Sequence, residues 1–237
     1  MFTKITLENF RSFDHIELDL TEKGNTAKHL AILYGENGAG KSNLMSAFVL
    51  LPELTRTMDA RAAYERILAQ GAIFQDENME KEMREHIRQR LRDMSAIIKD
   101  YQMADCENPI IAEYEFNIDG NNGCYRVEFG QDEILHERLE YVLNRRRGLY
   151  FDCSATGINI NDSIIEKEQG KEFLADVKEM AKRYWGKHSL LAILIYEMKD
   201  KSNSFGRDNI TENFNAVLNE FRNLSCTVSM GDKSWEG

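Results

Sequence analysis

Residues Gly35 to Ser42, GENGAGKS, set glycines, a lysine and a hydroxyl side chain at the spacing G-x-x-x-x-G-K-[ST]. Successive backbone N–H groups in such a loop form a concave anion nest, and a helix starting at its end adds partial positive charge. A diphosphate is then held largely by main chain. Gly38 and Gly40 let the backbone approach phosphate oxygens without an intervening Cβ, and Gly35 starts the turn. Lys41 would reach the β and γ phosphates, and the Ser42 hydroxyl would ligate Mg²⁺. Asn37 either helps position the γ phosphate or water, or serves as a turn-favouring residue. With Glu36, Ala39 and Asn43, these residues form the predicted nucleotide cradle.

The elements that must position this loop are readable around it. The run from Leu30 to Tyr34 is unbroken in apolar residues and predicts a strand buried on both faces. Ser42 to Leu51 predicts a helix with Leu44, Ala47, Phe48 and Leu51 on one side, ending near Pro52. Strand, glycine loop and helix in that order are the context the motif requires. Upstream, FTKITLENF at 2 to 10 alternates with period two and predicts a half-buried strand; a second follows at His15 to Leu20, with Arg11 and Ser12 in the turn.

Further along, Met79, Met83, Ile87, Leu91, Met94 and Ile98 recur at helical spacing and predict a charged helix over 76 to 102. Its other face mixes Lys81, Arg84, Arg88, Arg90 and Arg92 with Glu80, Glu82 and Glu85, which favours solvated ion pairs over a nucleic-acid track. From Pro109 the period returns to two. One hairpin is predicted around Asp119 to Gly123 and another around Arg145 to Gly148, making an antiparallel meander. In the last third, Ser163 and Glu166 have capping-box spacing ahead of Phe173, Leu174, Val177 and Met180. Two more helices are predicted at Leu190 to Met198 and through Phe214, Val217, Leu218 and Phe221. The organisation read from this pattern is a P-loop lobe at 1–75, a charged helical insertion at 76–108, the meander at 109–160 and a helical segment at 161–237.

Composition narrows the classes. The chain has 237 residues, enough for a sizeable core, and 40 acidic against 30 basic residues give a net charge of −10. Such a surface repels nucleic acid and acidic membranes as a whole, so any DNA contact must be local. Cys106, Cys124, Cys153 and Cys226 are scattered, with no zinc spacing or disulfide framework. The longest apolar run, Leu190 to Tyr196, is far short of the roughly 20 residues that span a bilayer. These features imply a reduced, cytoplasmic protein.

The opening segment, with ENFRSF at a strand end and GENGAGKS after the next apolar run, resembles the ABC-class ATPases that include RecF, the SMC proteins and the OLD-type nucleases. NPIIAEYEFNIDGNNGCYRVEFG and EILHERLEYVLNRRRGLYFD are similar to the antiparallel lobe of bacterial AAA-family ATPases of that class, many of them from phage-defence systems. The resemblance covers about residues 1 to 160. It implies an α/β P-loop NTPase, the N-terminal portion of an ABC-type ATPase head, that binds ATP and Mg²⁺. It also implies Arg11 and Ser12 near the nucleotide. As partners it implies a homodimer or higher oligomer through ATP-bound heads, an effector such as a nuclease or toxin, and DNA as a weaker option; no membrane is implied.

Such heads place a metal-binding Asp and a catalytic Glu after an apolar strand, and an S-x-G signature segment that faces the other subunit's P-loop. Neither is clear here, so the catalytic residues stay unassigned. LLAILIYEMKD reaches Glu197, but Tyr196 stands where the metal carboxylate belongs, and a tyrosine offers no hard anionic oxygen; a buried helix is the reading. SMGD at Ser229 to Asp232 matches S-x-G without a following helix, and Gln75 is a weak metal-sensing candidate. The sequence thus predicts a phosphate grip without complete hydrolytic machinery, either in a fragment or in a chain completed by another polypeptide. The competing reading is a non-catalytic module in which nucleotide orders a surface for a partner.

Overall fold

A computed structural model describes residues 1–22, 26–71, 92–143, 145–166, 170–200 and 210–224. Its frame is one seven-stranded sheet in the order β2-β1-β3-β4-β5-β6-β7, antiparallel at each pairing. The strands are β1 Phe2–Phe10, β2 Phe13–Asp19, β3 Ile110–Ile118, β4 Asn121–Phe129, β5 Ile134–Leu143, β6 Arg146–Ser154 and β7 Gly157–Ile160. The period-two reading of the sequence holds for the first six. The predicted N-terminal strands and the meander share this sheet because β1 pairs with β3, with Ile5 opposite Tyr114 and Leu7 opposite Ala112. The β3–β4 hairpin turns at Asp119 and Gly120, both at positive φ of 51° and 79°, a geometry an Asp-Gly pair tolerates at low cost.

Alternation separates the two faces. Tyr114, Tyr125, Leu139 and Phe151 stand in cross-strand register and are fully buried. One position along, Glu113, Arg126, Arg138 and Asp152 make the same ladder in charged residues on the opposite face, where Arg126 pairs with Glu113 and Arg138 with Asp152.

Helices cover the apolar face. These are α1 Lys41–Leu54, α2 Thr57–Gly71, α3 Met94–Tyr101, α4 Gly170–Tyr184, α5 Leu190–Asp200 and α6 Glu212–Arg222. The Tyr114 hydroxyl donates to the Ala47 carbonyl of α1 at 2.7 Å, and Phe221 of α6 lies 5.5 and 5.4 Å from the rings of Phe116 and Tyr125. α5 packs against α2 and α4, and its residues Leu190 to Ile195 are almost entirely buried. A helix apolar all round belongs in such an interior. Among the described residues no helix is long and apolar enough to cross a membrane.

Several expectations are corrected. Leu30 to Tyr34 forms no strand: it pairs with no other strand among the described residues, and Leu30, Ile32 and Tyr34 are 75, 73 and 91% exposed. Apolarity alone cannot create a buried strand; a partner on each edge is also required. α1 runs through Pro52 to Leu54, since its last turn needs only to forgo the bond a proline N–H would have made to the Phe48 carbonyl. Of the helix predicted over 76–102, residues 72–91 lie outside the described residues; Arg92 and Asp93 are not helical, and Asp93, with extended backbone and a side-chain bond to the Ala96 amide, caps the start of α3. Ser163 and Glu166 form no capping box. Asn161 instead caps a short 3-10 turn, Asp162–Ile164, and Ile165 bridges to Ile210. The helix α2 had no counterpart in the sequence reading.

One carboxylate ties sheet to helix. Glu137 of β5 is 0% exposed and accepts from Tyr125 Oη, Trp185 Nε1 and the backbone amides of Leu190 and Leu191 at the start of α5. Burial pushes its carboxyl up to about 7, although the four donors oppose the rise. A raised acid binds its proton more tightly in the folded state, so the stability it contributes is present below about pH 4.5 and is lost as pH climbs through about 7. The expected outcome is that Glu137→Gln flattens the pH dependence of the urea midpoint between pH 5 and 7, a window in which the native chain loses ~2–3 kcal/mol from this group.

Candidate nucleotide site

The GENGAGKS loop joins the exposed segment 30–34 to α1. Gly38 and Gly40 adopt positive φ of 87° and 84°, the left-handed conformation that a side chain penalises. Gly40 is also the N-cap of α1 and supplies no side-chain acceptor, so the amides of the first helical turn are left for another anion. Space enforces glycine there independently: a Cβ on Gly40 would stand 2.7 Å from Phe13 Cζ and 3.4 Å from Ser12 Oγ. At Gly38 nothing lies within 4 Å. The Ala39 amide donates to the Glu36 carbonyl at 3.2 Å and closes the turn containing Asn37.

Lys41 is already oriented by the loop. Its Nζ donates to the carbonyls of Gly35 and Glu36, each at 2.6 Å. An ammonium has three protons, so one remains for a phosphate oxygen. Ser42 is exposed at the second position of α1, and the first turn of that helix carries no carboxylate to repel a polyphosphate.

The β1–β2 turn is fastened to this loop. Asn43 Nδ2 donates to Ser12 Oγ at 2.7 Å, which holds Ser12 against the P-loop helix, while the guanidinium of Arg11 lies over the Tyr101 ring. The Phe13 ring against Gly40 is the second fastening. Reading the sequence had not identified that contact; the repeated Phe of ENFRSF was its only trace.

Glu197 is 7% exposed within α5, in a helix rather than after a strand, in line with the buried-helix reading. Gln75 and Ser229 to Asp232 lie outside the described residues. Arg147 pairs with Glu140 at 2.8 Å on the charged face of the sheet. Among the described residues no cluster of three or more His, Cys, Asp or Glu could hold a metal ion. The residues present therefore fit a diphosphate well, and fit Mg²⁺ through the Ser42 hydroxyl and the phosphate's own oxygens.

Beside the loop runs an apolar groove of about 820 Å³ that reaches Lys41 and Ser42 and is walled by Ile32, Leu33, Met45, Phe48 and Leu224. Its exposed wall includes Ala31, Ile32 and Leu33 from the 30–34 run.

Left-handed glycines, an uncapped helix start and a pre-oriented lysine on an α/β frame define a P-loop nucleotide-binding protein. Residues 1–225 match the family model described as AAA ATPase domain, and the chain belongs to that family. It is also similar to the DNA replication and repair protein RecF of Bacillus mycoides (strain KBAB4), at 41% identity over 49 residues. That match spans 21% of this chain and only 12% of the RecF protein.

Both glycine-to-alanine changes in the loop should cost stability, but unequally. Gly38→Ala meets only the backbone penalty of ~1–2 kcal/mol, whereas Gly40→Ala adds the clash with Phe13. Urea unfolding should rank Gly40→Ala as the more damaging, and Phe13→Leu should recover part of its deficit but none of that of Gly38→Ala.

Proposed function

We propose that this chain is the nucleotide-gripping part of an ABC-class ATPase head of the RecF, SMC and OLD-like kind, binding Mg²⁺-ATP on residues 35–43. The observation that carries the reading is the pairing of unsatisfied α1 amides with a Lys41 ammonium that the loop itself has aimed. The amides and Lys41 hold the phosphates, and Ser42 presents a hydroxyl to the metal. Mg²⁺, when bound, neutralises charge on the β and γ phosphates. Family membership supports ATP as the nucleotide.

In this reading ATP drives association with a second head and thereby controls an effector, such as a nuclease or toxin, or an action on DNA; antiviral defence is the setting we favour. The exposed run at 30–34 and its groove support completion by further polypeptide, because a contiguous apolar patch of this kind marks an interaction surface. The carboxylates for hydrolysis would come from that polypeptide. The second reading, a nucleotide-responsive module without turnover, is favoured by the missing carboxylate cluster among the described residues.

Titration of Mg²⁺-ATP should show binding by the native chain and at least about tenfold weaker binding by Lys41→Ala, the loss of one charge-assisted phosphate contact. Unchanged affinity in that variant would refute the assignment. Turnover abolished by Lys41→Ala favours the ATPase; binding with no turnover, and no ATP-dependent change in mass by light scattering, favours the module.

A further inference from the structure

The apolar groove beside the P-loop is bounded at one end by the residue that follows the last helix. Leu224, just past α6, lines it together with Ile32, Leu33, Met45, Phe48 and Val49. The rings of Phe48, Phe2 and Phe221 stand in series, 5.9 and 6.1 Å between centroids, so α6 delivers the chain to the Phe48 end of the groove. Lys41 and Ser42, a few turns back along α1, mark the other end. Among the described residues no amide from Ala31 to Tyr34 donates to a backbone carbonyl. The exposed wall therefore offers main-chain donors and acceptors as well as apolar side chains.

Residues 225–237 lie outside the described residues, and their sequence continues a pattern that Leu224 begins. Leu224, Cys226, Val228 and Met230 are apolar, while Ser225, Thr227 and Ser229 between them are polar. In extended chain, residues two apart share a face. With Leu224 in the groove, Cys226, Val228 and Met230 fall on the same side as it. The reach is sufficient. From Val49 to Lys41 the groove follows α1 for ~12 Å at the helical rise, and extended chain from Leu224 to Met230 covers ~20 Å.

We infer that residues 225–230 dock in this groove as an extended segment beside 30–34, with Cys226, Val228 and Met230 turned inward. Main-chain pairing along one edge of 31–34 adds to the apolar contact, as when a strand joins an open edge. Tethering decides between this occupant and a second copy of the chain. A segment joined at the groove's mouth has an effective concentration on the order of millimolar, far above that of a second molecule at roughly micromolar concentration. Leu30 and Tyr34 do not line the groove and are 75 and 91% exposed, so they stay open to the further polypeptide proposed above.

The test is hydrogen exchange at the amides of Ala31 to Tyr34 in the 237-residue chain, without nucleotide. Docking predicts exchange at least about tenfold slower than in an unstructured peptide of the same sequence. Val228→Asp sets a carboxylate against apolar walls and should return these amides to the peptide rate, while those of β3 and β4 stay protected. Native amides that exchange at the peptide rate overturn the inference. So does protection that survives Val228→Asp in a folded chain, or that rises with protein concentration, since a second copy then covers the groove. Should Val228→Asp fail to fold, Met45→Cys takes its place, at a position 42% exposed. Oxidised glutathione, accepting the two electrons and two protons, should then join the new thiol to Cys226 within one chain, as located by peptide mass spectrometry. The absence of that bond overturns the inference. Because no nucleotide is present, failure here leaves the proposed nucleotide site standing, and failure of ATP binding leaves this inference standing.

Discussion

The pairing of β1 with β3 is the contact on which the remaining structure depends. It joins segments about 100 residues apart, with Ile5 against Tyr114 and Leu7 against Ala112. Without it the N-terminal hairpin would be a two-stranded ribbon, marginal alone in water. With it, β1 becomes an interior strand and its C-terminal end is fixed. Just beyond that end lie Ser12 and Phe13, the residues that brace the P-loop, so the phosphate grip is registered to the sheet through strand pairing rather than through the loop itself.

The two faces of the sheet do different work. The aromatic face takes α1 and α6 and builds the core, with Tyr114 and Tyr150 sending their hydroxyls to backbone carbonyls so that burial leaves neither phenol unsatisfied. The charged face stays solvated, and its outer pairs, Glu113 with Arg126 and Arg138 with Asp152, add cross-strand attraction without requiring burial. α5 is connected to the sheet by Glu137, a buried carboxyl met by four donors. Such a group costs desolvation and repays it in geometry: it places the start of α5 against β5.

Around the loop, the structure combines rigidity with incompleteness. The left-handed turns at Gly38 and Gly40, the Phe13 contact and the two lysine hydrogen bonds preorganise the loop, while the apolar segment that leads into it remains in water. Preorganisation favours tight anion binding because little ordering remains to be done. Exposed apolarity next to it favours contact with other polypeptide.

Much of this was legible in the residues. GENGAGKS specified its own chemistry because the conformational freedom of glycine and the charge of lysine are local properties, and period-two alternation located six strands because one face of each is buried. Leu30 to Tyr34 shows where such reading stops: composition described a buried strand, yet burial depends on neighbours that local sequence does not contain. The 76–102 pattern likewise continued across Asp93, where capping chemistry starts a new helix. Glu53, Tyr101 and Glu137 carried no motif, and Phe13 of ENFRSF gave no sign of Gly40, since each acquires its role from a partner tens of residues away in the chain. The sequence by itself therefore determined the phosphate-binding chemistry and most of the local elements. Tertiary structure alone decided which strand neighbours which, what braces the loop and which apolar run stays exposed, because those outcomes depend on long-range pairing and burial.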